Sequence, residues 1–323
     1  MAINWTNIKE FHIGNSEVVK IEDSNSTVLW QKASVGPDYT EPFYVENLTT
    51  SSNTVTIKKS NSSAPTIALE RSTDGTTWTN WGSTSTTGVT YSIPSKGKVY
   101  IRSKNKVSQW HGSGTYRNWI NCSGNYAVGG NIMSLQYGPD FTGNERTFYD
   151  SSATYGVFMA LFMNSSKLVS IEKLLMPVTT MLTYCYANMY QQCTGLTTIN
   201  KDLLPATTLA TYCYSNMFYN CNQITEAPDL PATSVSNYAY GAMFYYCSSL
   251  RSIKVGMLTW PSFTTAGTFG TQDWTYGLPS SGTFYKPSSL QEKKNASGNT
   301  TKGTNSITGY CNAIPYNWTI QNI

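Results

Sequence analysis

The segment Tyr212-Cys213-Tyr214-Ser215-Asn216-Met217-Phe218-Tyr219-Asn220-Cys221-Asn222-Gln223-Ile224-Thr225-Glu226-Ala227-Pro228-Asp229-Leu230-Pro231-Ala232-Thr233 decides the reading, because it recurs. Upstream, Tyr184-Cys185-Tyr186-Ala187-Asn188-Met189-Tyr190 runs on to Cys193 and Leu196. Downstream, Tyr238-Ala239-Tyr240-Gly241-Ala242-Met243-Phe244 runs on to Cys247 and Leu250. Met189 to Met217 is a step of 28 residues, and Met217 to Met243 is a step of 26. A more degenerate copy places Leu161-Phe162 and Leu168 one step of 28 upstream. A second marker recurs as Met176-Pro177-Val178-Thr179, Leu204-Pro205-Ala206-Thr207 and Leu230-Pro231-Ala232-Thr233.

A repeat of this length is too short to bury its own apolar face, so neighbouring copies must stack. Met189, Cys193 and Leu196, Met217, Cys221 and Ile224, and Met243, Cys247 and Leu250 are the expected repeat core. The Tyr-x-Tyr-x-x-Met-Phe segment spaces its apolar positions by about one helical turn, which predicts a short convex helix. The segments Leu196–Ile199 and Gln223–Glu226 alternate and predict the strands, which the following prolines stop. The repeat cysteines read as small buried hydrophobes. Zinc would require close Cys pairs or His partners, and the only histidines are His12 and His111.

Residues 212–233 resemble the BspA-type leucine-rich repeat, whose pattern is Met-Phe-x-x-Cys-x-x-Leu-x-x-Ala-Pro. The resemblance covers about residues 155–260. Gly282–Pro287 and Ala313–Thr319 resemble the closing strands of such arrays, with Ser288–Asn305 expected between them as a long surface loop. The resemblance implies an α/β leucine-rich-repeat-like solenoid over residues 138–323, with a C-terminal cap.

Ahead of the repeats, residues 42–137 carry short alternating runs with turn signals at roughly ten-residue intervals, which predicts a β-sandwich of the Ig/fibronectin-like kind. Expected strands are Phe43–Leu48, Thr54–Lys58, Thr66–Arg71, Thr77–Gly82, Val89–Ile93, Lys98–Ser103, Arg117–Cys122 and Ile132–Tyr137. Trp78, Tyr91, Tyr100 and Trp119 are the expected core rings, and Gly124–Gly130 reads as a turn. Glu70, Arg71 and Asp74 read as solvated strand-end charges. Residues 1–33 alternate around Gly14-Asn15 and predict a β-hairpin module too short to hold its own core. Trp5, Ile8, Phe11, Ile13, Val19, Ile21 and Trp30 are its candidate anchor residues, and Lys32–Glu41 reads as a linker. The fold class is therefore a β-rich multidomain chain: hairpin, sandwich, repeats. This layout is similar to surface proteins of crAss-like phages of gut Bacteroidota.

Charged residues make up only 12% of the 323-residue chain and the net charge is +4, so no basic footprint points to nucleic acid. No stretch reaches the roughly 18 apolar residues of a membrane helix, and the N-terminus lacks a basic and apolar leader. The chain is therefore expected to be made in a bacterial cytoplasm and not exported by the general route. No GxSxG, HExxH or P-loop occurs, and no cofactor or catalytic residue is assigned. The expected function is non-enzymatic: a phage virion surface protein, as head fibre, capsid decoration or tail fibre. Its N-terminus would join other virion proteins, and its repeats would adhere to host surface or glycans, with homo-oligomerisation compatible. A bacterial cell-surface adhesin and a purely structural virion decoration are the alternatives. Of two equivalent tyrosine sets, Tyr186, Tyr214 and Tyr240 are nominated with Trp260 and Trp274 for ligand stacking; the competing reading packs them between repeats.

Overall fold

The computed structural model describes residues 8–13, 18–23, 28–31, 37–112, 116–153, 156–262, 269–301 and 311–323. The chain divides into two compact units, Met1–Asp38 and Tyr39–Ile323.

In the first unit β1 (Ile8–Ile13), β2 (Val18–Asp23) and β3 (Val28–Gln31) form an antiparallel meander in the order β1-β2-β3. The expected hairpin thus has a third strand. Phe11 pairs with Ile21, and Ile21 with Trp30, so three of the anchor candidates share one register row. Ile8 and Ile13 lie on β1 and Val19 on β2. Trp5, the Gly14-Asn15 turn and Lys32–Gly36 of the linker lie outside the described residues.

The second unit begins with β4 (Tyr44–Asn47), β5 (Asn53–Lys59), β6 (Ala68–Ser72), β7 (Thr79–Ser83), β8 (Val89–Ile93), β9 (Lys98–Ser103), β10 (Asn118–Cys122) and β11 (Tyr126–Asn131). The parallel strands β12 (Leu168–Leu175) and β13 (Thr198–Ile199) follow, then β14 (Ser252–Lys254), β15 (Thr283–Lys286) and β16 (Thr319–Asn322). One sheet is β10-β5-β8, and another runs β13-β12-β11-β4-β9-β6-β7. Alternation explains which residues face inward: Val55 and Ile57 on β5, Val99 and Ile101 on β9, and Ile120 on β10 are fully buried and share one core.

The expected strand Ile132–Tyr137 is instead the short helix α1 (Ser134–Tyr137), and the strand is β11. Asn131 starts this change, because its Oδ1 accepts the Met133 N–H at 3.0 Å and closes a local turn. The glycines that suggest a turn at 124–130 serve close approach. A Cβ at Gly129 would collide with the Tyr44 hydroxyl, and one at Gly130 (φ 70°) with the Pro42 carbonyl. β11 is antiparallel to β4 and parallel to β12. The seven-stranded sheet therefore crosses the expected boundary at 137/138, and the front strands and the repeats share one hydrophobic core.

The expected core rings are displaced outward. Trp78, Tyr91, Tyr100 and Trp119 are half-buried, while Phe43, Tyr44, Trp110 and Tyr126 fill the interior. Tyr100 alternates with Val99 and Ile101, so it takes the outer face by pleat. Cations cover the outer rings: Arg102 lies 4.2 Å from Trp78 and Arg71 4.3 Å from Tyr91. Glu70 pairs with Arg102 at 2.7 Å. Asp74 accepts the Thr76 and Thr77 N–H groups, which hold its carboxyl well below the usual range.

Candidate binding faces

The repeats stack as successive rungs, but their tyrosine-rich segments are not helices. Within one rung the N–H groups of Cys185, Ala187, Met189, Gln191 and Cys193 bond back three residues. The intervening N–H groups of Tyr184, Tyr186, Asn188, Tyr190 and Gln192 bond forward to the next rung, at Thr211, Cys213, Ser215, Met217 and Tyr219. Every fourth residue is left-handed: Tyr184, Asn188 and Gln192 at φ 56–60°, then Tyr212, Asn216 and Asn220 at 53–58°. This ribbon of consecutive turns has a period of four, close to the helical 3.6 that the sequence suggests. A helix would use its N–H groups four residues back and leave none for the neighbouring rung. Left-handed non-glycine residues are strained; the inter-rung bonds offset that cost.

All nine repeat-core residues, Met189, Cys193, Leu196, Met217, Cys221, Ile224, Met243, Cys247 and Leu250, are fully buried. The cysteines do more than fill space. Cys193 Sγ donates to the Phe162 carbonyl at 3.1 Å, Cys221 to Tyr190 at 3.0 Å and Cys247 to Phe218 at 3.0 Å. Each thiol thus ties its rung to the one before. Burial pushes the Cys193 thiol up to about 12, so it stays protonated.

Two aromatic columns run through the interior. Phe158, Tyr186, Tyr214, Tyr240 and Trp274 stack at 6.0, 6.0, 6.3 and 6.1 Å. Phe162, Tyr190, Phe218 and Phe244 stack at 5.6, 5.4 and 5.9 Å. Tyr186, Tyr214 and Tyr240 are about 1% exposed and Trp274 is fully buried, so these nominated ligand-stacking residues are core. Trp260 is nearly buried, with its Nε1 donating to the Gln291 carbonyl at 2.7 Å.

Two further columns are Tyr184, Tyr212 and Tyr238, at 4.6 and 4.7 Å, and Tyr219, Tyr245 and Tyr276, at 4.7 and 4.5 Å; all but the buried Tyr245 are half-exposed. The middle rings Tyr212 and Tyr245 have a stacked neighbour on each face and present mainly their phenol edges. They are poor platforms for a sugar ring, which needs an open aromatic face.

The opposite, strand-bearing side is different. β13 pairs with β12 alone, and the next parallel pairing starts at Glu226 with Ser252. The sheet is split there, and the cleft is lined by Glu172, Thr197–Lys201 and Thr225–Ala227. It continues past Lys201 and Glu226, paired at 3.1 Å, to Asp229, Ser252, Lys254 and Tyr285. On β14-β15-β16 the register rows are Ser252-Thr283-Thr319 and Lys254-Tyr285-Gln321. Tyr285 is half-buried, flanked by an ammonium and an amide, with Asp229 ion-paired to Lys254. Sequence reasoning covered Tyr285 only within the expected closing strand Gly282–Pro287; its place in a polar register row needs the parallel pairing to be known.

The expected surface loop Ser288–Asn305 is exposed at most of its described positions, but Leu290, Asn295 and Asn299 turn inward and tie it down. Asn295 Nδ2 donates to Thr275 Oγ1 at 2.8 Å and its Oδ1 accepts the Ala313 N–H at 2.9 Å. Asn299 Oδ1 accepts the Tyr316 N–H at 2.7 Å. These buried amides hold the end of the stack together with the buried Phe284, Leu290, Ile314 and Trp318.

Among the described residues, no cluster of His, Cys, Asp and Glu is placed to hold a metal ion, and no helix is long and apolar enough to cross a membrane. Compared with known protein families, curated proteins and solved structures, the chain matches none.

Proposed function

We propose that this chain is a display protein of a bacteriophage virion, a head fibre, capsid decoration or tail fibre, that adheres to a host surface or its glycans. In this reading residues 1–33, within the unit Met1–Asp38, are the anchor. The remainder is an Ig/fibronectin-like sandwich fused to a leucine-rich-repeat-like solenoid, and it performs no catalysis. The observation that carries the proposal is a contrast within each rung. The Met, Cys, Leu and aromatic positions repeat, while the outward strand positions do not: Thr198 and Asn200, Glu226, Ser252 and Lys254, Thr283 and Tyr285. A repeating frame with one varied polar face is what a binding scaffold requires. The virion placement is supported by the resemblance of the hairpin, sandwich and repeat layout to surface proteins of crAss-like phages.

The test is immunogold labelling of intact particles and host cells against residues 155–323. Label on heads or tail tips, lost when residues 2–33 are deleted, is the expected result. Label on cells and never on particles would replace the virion reading with a cellular BspA-like adhesin. Labelled particles whose adhesion survives Tyr285→Ala together with Lys254→Ala would reduce the chain to a structural decoration.

A further inference from the structure

A second polar face lies away from the rungs, on the outer side of β10-β5-β8. Its register rows place Lys58 opposite Trp119, Thr56 opposite both Asn121 and Thr90, and Thr54 opposite Ser92. A shallow depression there is lined by Thr54, Thr56, Lys58, Trp119, Asn121 and Ser123. Lys58 Nζ lies 5.1 Å from the Trp119 ring centre and Arg117 Cζ 5.4 Å from it.

The charge of this face is one-sided. The ion pairs of the described residues involve neither Lys58 nor Arg117. Arg117 is half-buried, and burial alone pulls its guanidinium below the ordinary value, with no carboxylate opposing the shift. Its side-chain hydrogen bond runs to the Met163 thioether, a weak acceptor. A guanidinium withdrawn from water without an anion is unfavourable. Its planar fork of donors matches a carboxylate or sulfate.

We propose that this face binds an acidic saccharide. Lys58 and Arg117 hold the carboxylate or sulfate ester, the sugar ring lies against Trp119, and Thr54, Thr56 and Asn121 meet its hydroxyls. The Lys58 ammonium on the indole leaves it as the sugar arrives, since its four-carbon stem swings freely. A neutral sugar would have no use for two unpaired cations. A nucleic acid would call for an extended basic stripe, which a net charge of +4 and two cations on this face do not provide. The site does not rest on the reading of the rungs, because it lies on a different sheet.

Isothermal titration of the full chain tests it with three tetrasaccharides: one bearing glucuronate, a sulfated counterpart, and the carboxyl-reduced neutral form. At least one acidic sugar should bind about tenfold or more tighter than the neutral one, with affinity falling as salt rises. The better acid tells carboxylate from sulfate. Lys58→Gln should weaken that binding by about fivefold or more at unchanged thermal stability, and Trp119→Phe should weaken it too. Equal binding of acidic and neutral sugars, no binding of either acid, or acid binding that ignores Lys58→Gln overturns the proposal. Acid binding lost in Tyr285→Ala but kept in Lys58→Gln also overturns it, and assigns the sugar to the strand face instead.

Discussion

The two sides of each rung are built from one chain segment yet obey opposite rules. On the turn side every second N–H reaches the next rung and aromatic columns run unbroken from Phe158 to Trp274. On the strand side the ladder breaks after β13, and the outward residues change from rung to rung. Continuity on one side frees the other. Once turns, thiols and rings fix the stacking, the strands need not pair throughout, and their outer positions can be chosen for contact with something else.

The sharpest way to break this contrast is to remove a ring from an inner column. Phe218 lies between Tyr190 and Phe244 and is fully buried, so Phe218→Ala should cost about 3–5 kcal/mol in urea unfolding of the purified chain. A loss under about 1 kcal/mol would mean that the columns fill space without holding the stack.

Alkali probes the same side. Burial pushes Cys185 and Cys193 up to about 12, and the buried rung tyrosines well above their usual value. These groups keep their protons in the folded chain and lose them more readily when unfolded. Their stabilising contribution is therefore complete below about pH 8.5 and is lost as pH rises toward 12. Melting temperature should fall steadily over that window, and rung thiols should resist alkylation at pH 8 until the chain unfolds. Rapid native labelling of Cys193 would contradict this.

The outer columns come next. Tyr212 stacks on both sides at 4.6 and 4.7 Å, and Tyr212→Ala should cost about 1–3 kcal/mol while leaving ligand binding intact, because the faces of its ring are occupied.

Ala242→Gly separates turns from helix by sign. In a helix the change costs about 1 kcal/mol, but Ala242 sits at φ 49°, so glycine should stabilise by about 1 kcal/mol in the same unfolding assay. The smallest effect belongs to the strand side. Lys201→Ala breaks an exposed pair and should change stability by less than about 1 kcal/mol, so any larger change in adhesion would come from contact and not from folding.

Much of this was legible in the residues. The Met, Cys and Leu spacing located the buried positions of each rung, and alternation located β8 and β9 to the residue. What was not legible has a common cause: a local pattern with two physical meanings. A period of four serves a helix and a ribbon of four-residue turns alike, and only the neighbouring rung decides between them. Gly129 and Gly130 signal a turn locally, yet they exist because Tyr44 and Pro42 lie against them. Tyr184 and Tyr186 have identical chemistry two residues apart, and the four-residue period of the ribbon puts one at the surface and the other in the core. The Lys58, Arg117 and Trp119 grouping was hidden because β5 and β10 are far apart in sequence.

The position of β4 bears on how the Tyr39–Ile323 unit would resist being pulled from its N-terminal side. Tension entering the Tyr39–Ile323 unit from its N-terminal side meets Tyr39 and Glu41 first, whose carbonyls accept Asn131 Nδ2 at 3.0 Å and the Asn131 N–H at 2.8 Å. It then meets β4, bonded along one edge to β9 and along the other to β11. Antiparallel hydrogen bonds lie across the strand axis. A load drawn along β4 must shear both rows together and cannot peel them one bond at a time.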